Sequence, residues 1–467
     1  MNGFTLLRHR TALSLVGLTT LFATHAFAAP GDPLQPVEAF FPPGFGPPAA
    51  VVAIDSASNT AGDAVVIAQT RDSSLGQGGS IYGRFFSADG EGDTTPQLLV
   101  SVVGTNSELQ DIYHGSVAMS AQSTRFWLLY VLEHNPRAAF RASTEVLLQE
   151  FSASGEAIGQ PVRIVKLPQV TFGVAYGLSA LPVVSAGPEG TVTVAWGQLA
   201  AAAAGAGIPT PIGGTGVITA APFTSQILMR QLDTLSRELR LPTQVAIAAS
   251  AQVEIPFFSQ VEVPPVGTGF VTEPRLAYAP DGTLLVAWSR TIGQFSRYGV
   301  SASELRVRRY TGEGFAAAQT LVADIPDEAV VASVSANDTR YAVTWQERDT
   351  RTSLVQAYDN AGGAINTASV QTVNAPGVGL FTSGAYVWTF VPSASSPDLA
   401  RGVYTQFFDA AGGAVGEPML VNPSGSAATQ AVEARVETAA DNVLVVWRTR
   451  PADPEPDQVY LRRLEGL

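Results

Sequence analysis

The chain has 467 residues, of which 46% are hydrophobic and 14% are charged, and its formal net charge at pH 7 is −13. Such an acidic chain repels a phosphate backbone, so the composition argues against nucleic acid as a partner. Because the chain contains no cysteine, disulfides, thiolate metal sites and cysteine nucleophiles are excluded.

The first 28 residues have the pattern of an export signal. Arg8 and Arg10 precede an apolar stretch, and the small-x-small pattern of Ala26-Phe27-Ala28 comes directly before Ala29. A segment of this kind is removed on export. We therefore predict a signal peptide at 1–28, a single domain at 29–467 and a periplasmic or extracellular location, with an uncleaved N-terminal anchor as the alternative. No later stretch is long and apolar enough to span a bilayer, and we expect a monomer.

A short apolar strand recurs seven times along the chain and ends in an aromatic residue in six of these copies. Its clearest copy follows the turn at Asp281-Gly282 and ends at Trp288, and all six tryptophans lie in copies of this strand. Each copy is flanked by further strand signals and tight turns, a pattern typical of antiparallel four-stranded sheets. Seven such units predict an all-β, seven-bladed β-propeller. The predicted blades are 49–103, 114–167, 181–247, 273–324, 328–374, 376–423 and 431–467.

Two features of the repeat are interpreted as structural. The tryptophans could form a surface that stacks on carbohydrate, but an element that repeats around the whole ring favours a core between blades. The third strand of each repeat carries Arg or Gln two residues before an aromatic residue or Leu, as Arg84 precedes Phe86. We predict that its stem packs between blades and that its polar head binds backbone carbonyl oxygens.

The seventh repeat stops after its third strand, and an unpaired strand pattern lies at the other end of the chain. Residues 34–40 resemble the fourth strands of the other repeats, which begin with a proline, as at Pro161. Proline lacks an N–H and is tolerated where a strand begins or lies at an edge. We predict that 34–40 complete the last blade and close the ring, which removes an exposed edge. A Pro-rich tail is the alternative.

Long connections are predicted on one face of the disc, where second strands lead to third strands and where one blade leads to the next. The longest are 197–225 and 248–273, and recognition commonly lies on such loops. Charged residues after the second strands would ring the channel mouth on this face. Arginine suits carboxylates there, because its guanidinium forms paired hydrogen bonds. The candidate ligand-binding residues are Arg71, Asp72, Glu133, His134, Arg290, Glu347, Arg348, Asp349, Arg448 and Arg450, with an ordinary solvated loop face as the alternative.

Signals for catalysis or cofactors are sparse. The chain has no GxSxG, HExxH or phosphate-cradling glycine motif, and only His114 and His134 follow the predicted signal. We therefore predict no metal centre and no cofactor. The alternating acids Asp89, Glu91 and Asp93 leave Ca²⁺ as an alternative, although no acidic residue follows at the twelfth position of a calcium loop.

The combination of a Pro-Asp-Gly turn, a V-x-V-x-W strand and an F-D-A-x-G turn resembles degenerate propeller repeats of secreted bacterial surface proteins. This resemblance covers nearly all of residues 34–467 and implies a seven-bladed propeller without indicating an activity. Residues 274–290 also look like the strand pair of sialidase-type propellers. That family implies an arginine triad, a Tyr–Glu nucleophile and an aspartic acid/base. Its S-x-D-x-G-x-T-W boxes are absent here, so no catalytic residue is transferred.

Two functions from different classes fit these observations. The first is an exported scaffold that binds a glycan or a protein on the long-loop face. The alternative is a polysaccharide-active glycoside hydrolase or lyase that uses arginine and carboxylates on that face. A deep pocket with converging Arg and Glu or Asp side chains would favour the enzyme.

Overall fold

Short strands joined by turns make up the protein, and the described residues contain thirty strands and no helix. The computed structural model describes residues 30–43, 45, 50–71, 78–88, 95–102, 110–120, 122–134, 143–168, 178–188, 190–201, 217–220, 223–249, 253–256, 270–292, 302–326, 328–374, 376–393, 396, 399, 401–422, 431–439, 442–450 and 457–467. In these ranges no helix is long and apolar enough to cross a membrane. The predicted signal peptide lies outside them.

Seven four-stranded antiparallel sheets form the blades, which confirms the predicted fold. The first four blades contain, in order, β2 (Ala50–Ser58), β3 (Ala64–Arg71), β4 (Gly79–Phe86) and β5 (Gln97–Val102); β6 (Gln110–Met119), β7 (Phe126–His134), β8 (Ser143–Phe151) and β9 (Ala157–Pro168); β10 (Leu178–Ala186), β11 (Thr191–Ala201), β13 (Phe223–Asp233) and β14 (Thr243–Ala249); and β16 (Phe270–Tyr278), β17 (Leu284–Ile292), β18 (Ala302–Tyr310) and β19 (Gln319–Ile325).

The last three blades follow the same order of strands. They contain β20 (Ala329–Ala336), β21 (Arg340–Glu347), β22 (Thr352–Asp359) and β23 (Ala364–Gln371); β24 (Gly377–Leu380), β25 (Tyr386–Phe390), β26 (Tyr404–Phe408) and β27 (Ala414–Leu420); and β28 (Ala431–Ala439), β29 (Asn442–Thr449), β30 (Gln458–Glu465) and the N-terminal β1 (Glu38–Ala39).

The N-terminal segment closes the ring as predicted, but its ladder is shorter than 34–40. β1 pairs with β30 through Glu38 opposite Leu461 and Ala39 opposite Tyr460. Pro36 has no N–H to donate, which accounts for the short ladder. Further backbone hydrogen bonds extend the contact on both sides, because the N–H groups of Gly31, Leu34 and Phe40 donate to carbonyl oxygens of β30.

The insertions 197–225 and 248–273 contain more strand structure than a loop interpretation predicts. β11 and β13 continue their ladder outward to the pair Ala201 and Phe223. Beyond them, β12 (Val217–Ala220) from the first insertion pairs with β15 (Val253–Pro256) from the second. The two insertions therefore form an additional two-stranded sheet of their own. The alanine-rich start of the first insertion lacks a turn signal, so the preceding strands continue into it.

The hydrophobic core is divided among the seven junctions between blades. Seven clusters of buried side chains are present in the described residues, and each joins one pair of neighbouring blades. All six tryptophans lie in second strands and are at most 4% exposed. Trp288, for example, packs with Ile227 of the preceding blade. The interpretation of the tryptophans as core between blades is therefore confirmed.

Polar side chains of the third strands also hold neighbouring blades together. In blades 1, 3, 4 and 7 the arginine of this strand donates to a carbonyl oxygen in or beside the fourth strand of the preceding blade. The donor–acceptor pairs are Arg84 to Phe40, Arg230 to Ile164, Arg308 to Val245 and Arg462 to Val421. Gln149 and Gln406 instead bind carbonyl oxygens within their own blades. For these six residues the predicted backbone contact is confirmed.

A bulge near the start of the first strand occurs in six of the seven blades. A bulge leaves backbone groups outside the ladder, and the preceding blade supplies partners for several of them. Arg275 Nε donates to the carbonyl oxygen of Ala332 at 2.7 Å, and Arg448 Nη1 donates to that of Val51 at 2.9 Å. The blades are thus joined at the centre by side-chain to backbone hydrogen bonds.

Candidate functional site

The first strands of all seven blades surround a cavity of about 900 Å³ on the propeller axis. Small residues on these strands, such as Gly115, Ser185 and Gly377, let the blades approach one another closely. We call this space the central cavity. Its wall is largely neutral and includes hydroxyl groups, as at Ser333 and Ser335.

Ionisable groups of the central cavity are concentrated where blade 7 meets blade 1. Asp55 lies on β2, and Glu433, Arg435 and Glu437 lie on β28. On β28 these three residues are two apart, so their side chains share one side of the strand. The joint between the two ends of the chain therefore carries three carboxyl groups and one guanidinium.

Glu437 is the strongly perturbed acid of this group. Burial raises the pKa of its carboxyl, the negative charge of Asp55 raises it further, and the pKa reaches about 8 despite hydrogen bonds from serine hydroxyls. One of these bonds runs from Ser56 Oγ to Glu437 Oε1 at 3.0 Å. Glu437 therefore holds its proton at neutral pH while it faces the cavity.

Asp55 is fixed as a hydrogen-bond acceptor beside Glu437. Its Oδ2 accepts from Ser116 Oγ at 2.8 Å and from the N–H of Val117 at 3.0 Å. Its Oδ1 lies 3.9 Å from Arg435 Nε. Both donors to Oδ2 belong to blade 2, so the Asp55 carboxylate links blades 1 and 2. Its other oxygen faces Arg435 of blade 7.

Arg435 is held in turn by a chain of ion pairs. Its Nη2 donates to Glu433 Oε1 at 2.7 Å, and the other oxygen of Glu433 lies 3.3 Å from Arg448 Nε. Arg448 also binds Asp457 at 3.0 Å. This network fixes the guanidinium of Arg435 between Glu433 and Asp55, which places a permanent positive charge at the cavity wall.

Two further polar residues line the central cavity, His114 from blade 2 and Arg275 from blade 4. Burial lowers the pKa of His114 to about 4, so its imidazole is neutral at pH 7. Its Nε2 lies 3.0 Å from the carbonyl oxygen of Pro182. Because a carbonyl oxygen can only accept, Nε2 carries the proton and Nδ1 the lone pair.

The nine described candidates from the sequence lie outside the central cavity. Asp72 lies outside the described residues, and none of the other nine lines the central cavity. Their contacts distribute them over five blades, mostly as separate ion pairs or hydrogen bonds. Arg71 binds Asp111 at 3.1 Å, His134 lies 3.5 Å from Glu145, Arg290 binds Glu304 at 3.2 Å, Arg348 binds Glu328 at 3.1 Å, and Glu347 accepts from Thr350 at 3.1 Å.

Some of these candidates are brought together. Arg448 and Arg450 both reach Asp457, Glu133 and His134 end β7, and Arg348 and Asp349 follow β21. Arg448 is 8% exposed and contacts Glu433 of the cavity wall. Ligand binding by the ten candidates stays a prediction. The residues of the central cavity are not among the candidates because the sequence pattern predicts recognition on loops, although charged residues on the small, apolar first strands were a usable signal.

No residue set in the described ranges has the composition of a metal centre, since no group of three or more His, Asp or Glu side chains is placed to hold one ion. Of the alternating acids considered for Ca²⁺, Asp89, Glu91 and Asp93 lie outside those ranges. What the cavity offers chemically is a protonated carboxyl group beside a carboxylate and a guanidinium.

The chain matches no family model and no curated protein sequence. Among solved structures it is similar to an α-L-arabinanase of Penicillium chrysogenum complexed with arabinobiose, with 11% identity, a TM-score of 0.46 and coverage of 92% of this chain and 98% of that one. It is also similar to the polysaccharide lyase Uly1, with 10% identity, a TM-score of 0.44 and coverage of 95% and 94%. A sialidase of Trypanosoma rangeli in complex with sialic acid gives 9% identity, a TM-score of 0.38 and coverage of 93% and 57%. These similarities concern the propeller fold and carry no argument about activity.

Proposed function

We propose that this protein hydrolyses glycosidic bonds in its central cavity, with Glu437 as the proton donor and Asp55 as the partner carboxylate. One observation carries the proposal: Glu437, with a pKa of about 8, stays protonated beside Asp55 on the wall of a cavity of about 900 Å³. Two carboxyl groups whose environments differ in this way suit general-acid catalysis at a glycosidic bond.

In the proposed step the bond between the anomeric carbon and the bridging oxygen breaks. The proton of Glu437 passes to that oxygen, so that the leaving sugar departs as a neutral alcohol. The anomeric carbon receives its new bond either from water, whose proton Asp55 accepts, or from Asp55 itself, with water completing a second step. The stereochemistry of the product distinguishes these routes.

The remaining groups of the cavity suit a hydroxyl-rich ligand. Serine hydroxyls can both donate and accept hydrogen bonds, as can the hydroxyl groups of a sugar. Arg435 supplies a fixed positive charge next to Asp55. The volume falls within the range of pockets that enclose small-molecule ligands. Carboxyl groups and an arginine on the wall of one cavity favour the enzyme over a binding scaffold, and the predicted signal peptide would place the activity outside the cytoplasm.

The test is a screen of neutral and acidic polysaccharides for release of reducing ends by the purified chain. We expect activity on at least one glycan, its loss by about 100-fold to 10,000-fold in Glu437→Gln and Asp55→Asn, and its retention in Glu313→Gln. Glu313 is exposed on a turn of blade 4 and serves as the matched control.

Two results would overturn the proposal. No cleavage across the panel, together with saturable glycan binding, would establish a binding scaffold instead. Products with a new double bond, detected by their ultraviolet absorbance, would show elimination by a lyase rather than hydrolysis.

A further inference from the structure

A second, smaller cleft lies between blades 3 and 4 and has a volume of about 210 Å³. Three arginines from adjacent strands of blade 4 line it: Arg290 from β17, and Arg306 and Arg308 from β18. We call these residues the arginine cleft. Gln244 and Val245 of blade 3 form the opposite wall. None of these residues lines the central cavity.

The positive charge of the arginine cleft is only partly neutralised. Glu304 Oε1 lies 3.2 Å from Arg290 Nη1 and 2.9 Å from Arg306 Nε, so a single carboxylate serves two guanidinium groups. Within the described part of the chain, no second carboxylate forms an ion pair with any of the three arginines. Counted over the described residues, the three arginines and Glu304 leave two positive charges in excess, in a chain whose net charge is −13.

Arg308 has no ionic partner of its own among the described residues. Its Nη1 and Nε donate to the carbonyl oxygens of Val245 and Ala316, at 2.6 and 3.0 Å. Burial lowers the pKa of Arg308, as expected of a cation that is removed from water without a counter-charge.

Arg290 shows an unused hydrogen-bonding capacity as well. Its Nε is buried and has no hydrogen-bond partner among the described residues. Buried charged donors are normally paired, and leaving one unsatisfied is costly. A bound anion would supply the missing acceptor and the missing charge together.

We propose that the arginine cleft binds an oxyanion, the carboxylate, sulfate or phosphate group of a ligand no larger than about one sugar acid. Guanidinium groups present planar arrays of N–H donors that match the oxygens of these groups. The small volume admits a single group of this kind. The proposal rests on residues that the proposed hydrolysis does not use, so either can fail alone.

The experiment is calorimetric titration of the full chain with sodium sulfate, sodium phosphate and sodium glucuronate at constant ionic strength, with glucose as the uncharged control. We expect saturable binding of at least one anion and none of glucose. Binding of sulfate or phosphate alone would identify an inorganic-type oxyanion, whereas binding of glucuronate would identify a sugar acid.

Three variants test the proposal, because they are expected to change the anion affinity in different directions. Arg306→Gln should weaken the anion affinity by about tenfold or more, the equivalent of about 1.4 kcal/mol. Glu304→Gln should strengthen it, because the anion no longer competes with the carboxylate for Arg290 and Arg306. Arg125→Gln removes the same charge from blade 2, where Arg125 is 58% exposed, and should leave the affinity unchanged.

Absence of binding in the wild-type chain would overturn the proposal. Equal affinities in the wild type and in Arg306→Gln, or equal losses in Arg306→Gln and Arg125→Gln, would overturn it too. If Glu304→Gln fails to fold by circular dichroism, Arg290→Gln replaces it, and an unchanged affinity in that variant would likewise contradict the site.

Discussion

Ser56 of blade 1 donates a hydrogen bond from its hydroxyl to Glu437 Oε1 of blade 7, at 3.0 Å. The two residues are 381 positions apart in sequence and meet only because the ring is closed. The same joint holds Asp55 and Arg435, and its outer side is completed by β1. The candidate site therefore depends on the contact between the two ends of the chain.

Phe40→Ala should destabilise the ring closure. Phe40 is fully buried with Val446 and Leu461 of blade 7 and Val66 of blade 1, and truncation of such a side chain costs about 3–5 kcal/mol. Urea unfolding measures the free energy of unfolding of the variant. The matched control is Phe315→Ala in a partly exposed turn. Equal losses in the free energy of unfolding of both variants would contradict a stabilising role of the N-terminal segment.

Arg448→Met and Arg450→Met should differ strongly in stability, although both were candidates for ligand binding. Arg448 is buried and binds Glu433, Asp457 and a backbone carbonyl, so its removal leaves buried groups unpaired and costs about 3–5 kcal/mol. Arg450 is 65% exposed, and its removal should change the free energy of unfolding by less than about 1 kcal/mol. Chemical denaturation of the two variants checks the difference, and similar values would contradict the network.

Glu437→Gln should remove a pH dependence of stability. The carboxyl has an ordinary pKa of 4.5 in the unfolded chain and about 8 in the folded one. Between these values the folded protein keeps a proton that the unfolded chain releases, so the stability of the wild type falls as pH rises. The variant should lack this fall and gain, relative to the wild type, on the order of a few kcal/mol by pH 9. Melting temperatures at pH 5 and pH 9 test this, and a constant difference would contradict the raised pKa.

His114→Gln should reduce sensitivity to acid. The imidazole has an ordinary pKa of 6.5, which burial lowers to about 4 in the folded state. Below pH 6.5 the unfolded chain binds a proton at His114 that the folded protein does not bind. The stability that the neutral imidazole contributes at pH 7 is therefore lost as pH falls towards 4. Glutamine can still donate to Pro182. The loss of stability between pH 7 and pH 4 should be smaller in this variant than in His134→Gln, and equal losses would refute the assignment.

The fold could be predicted because its signals repeat. Seven copies of one strand, the tryptophans within it and the proline-headed segment at 34–40 each followed from local pattern, and the structure confirms the blades, the core and the closure. The length of β1 could not be predicted, since backbone hydrogen bonds outside a regular ladder leave no periodic pattern in the sequence. Phe40, the most buried residue of the predicted strand 34–40, lies directly after the end of β1.

The candidate site could not be predicted because its residues become neighbours only through the closed ring. Asp55 and Glu437 lie near opposite ends of the chain, Asp55 on β2 and Glu437 on β28. The raised pKa of Glu437 depends on burial and on the charge of Asp55, neither of which a single strand reveals. Arg290 was a ligand-binding candidate from sequence, whereas Arg308 was predicted only as a structural residue of its third strand and Arg306 was not predicted.

The most direct test of Glu437 as the proton donor compares two leaving groups on the sugar that the glycan screen identifies. A natural glycoside needs protonation of its departing oxygen, whereas a dinitrophenyl glycoside has a leaving group acidic enough to depart without it. We predict that Glu437→Gln loses at least about 100-fold in kcat/KM on the natural linkage but less than about tenfold on the dinitrophenyl glycoside. Equal losses on both substrates would contradict the role of Glu437 as the acid.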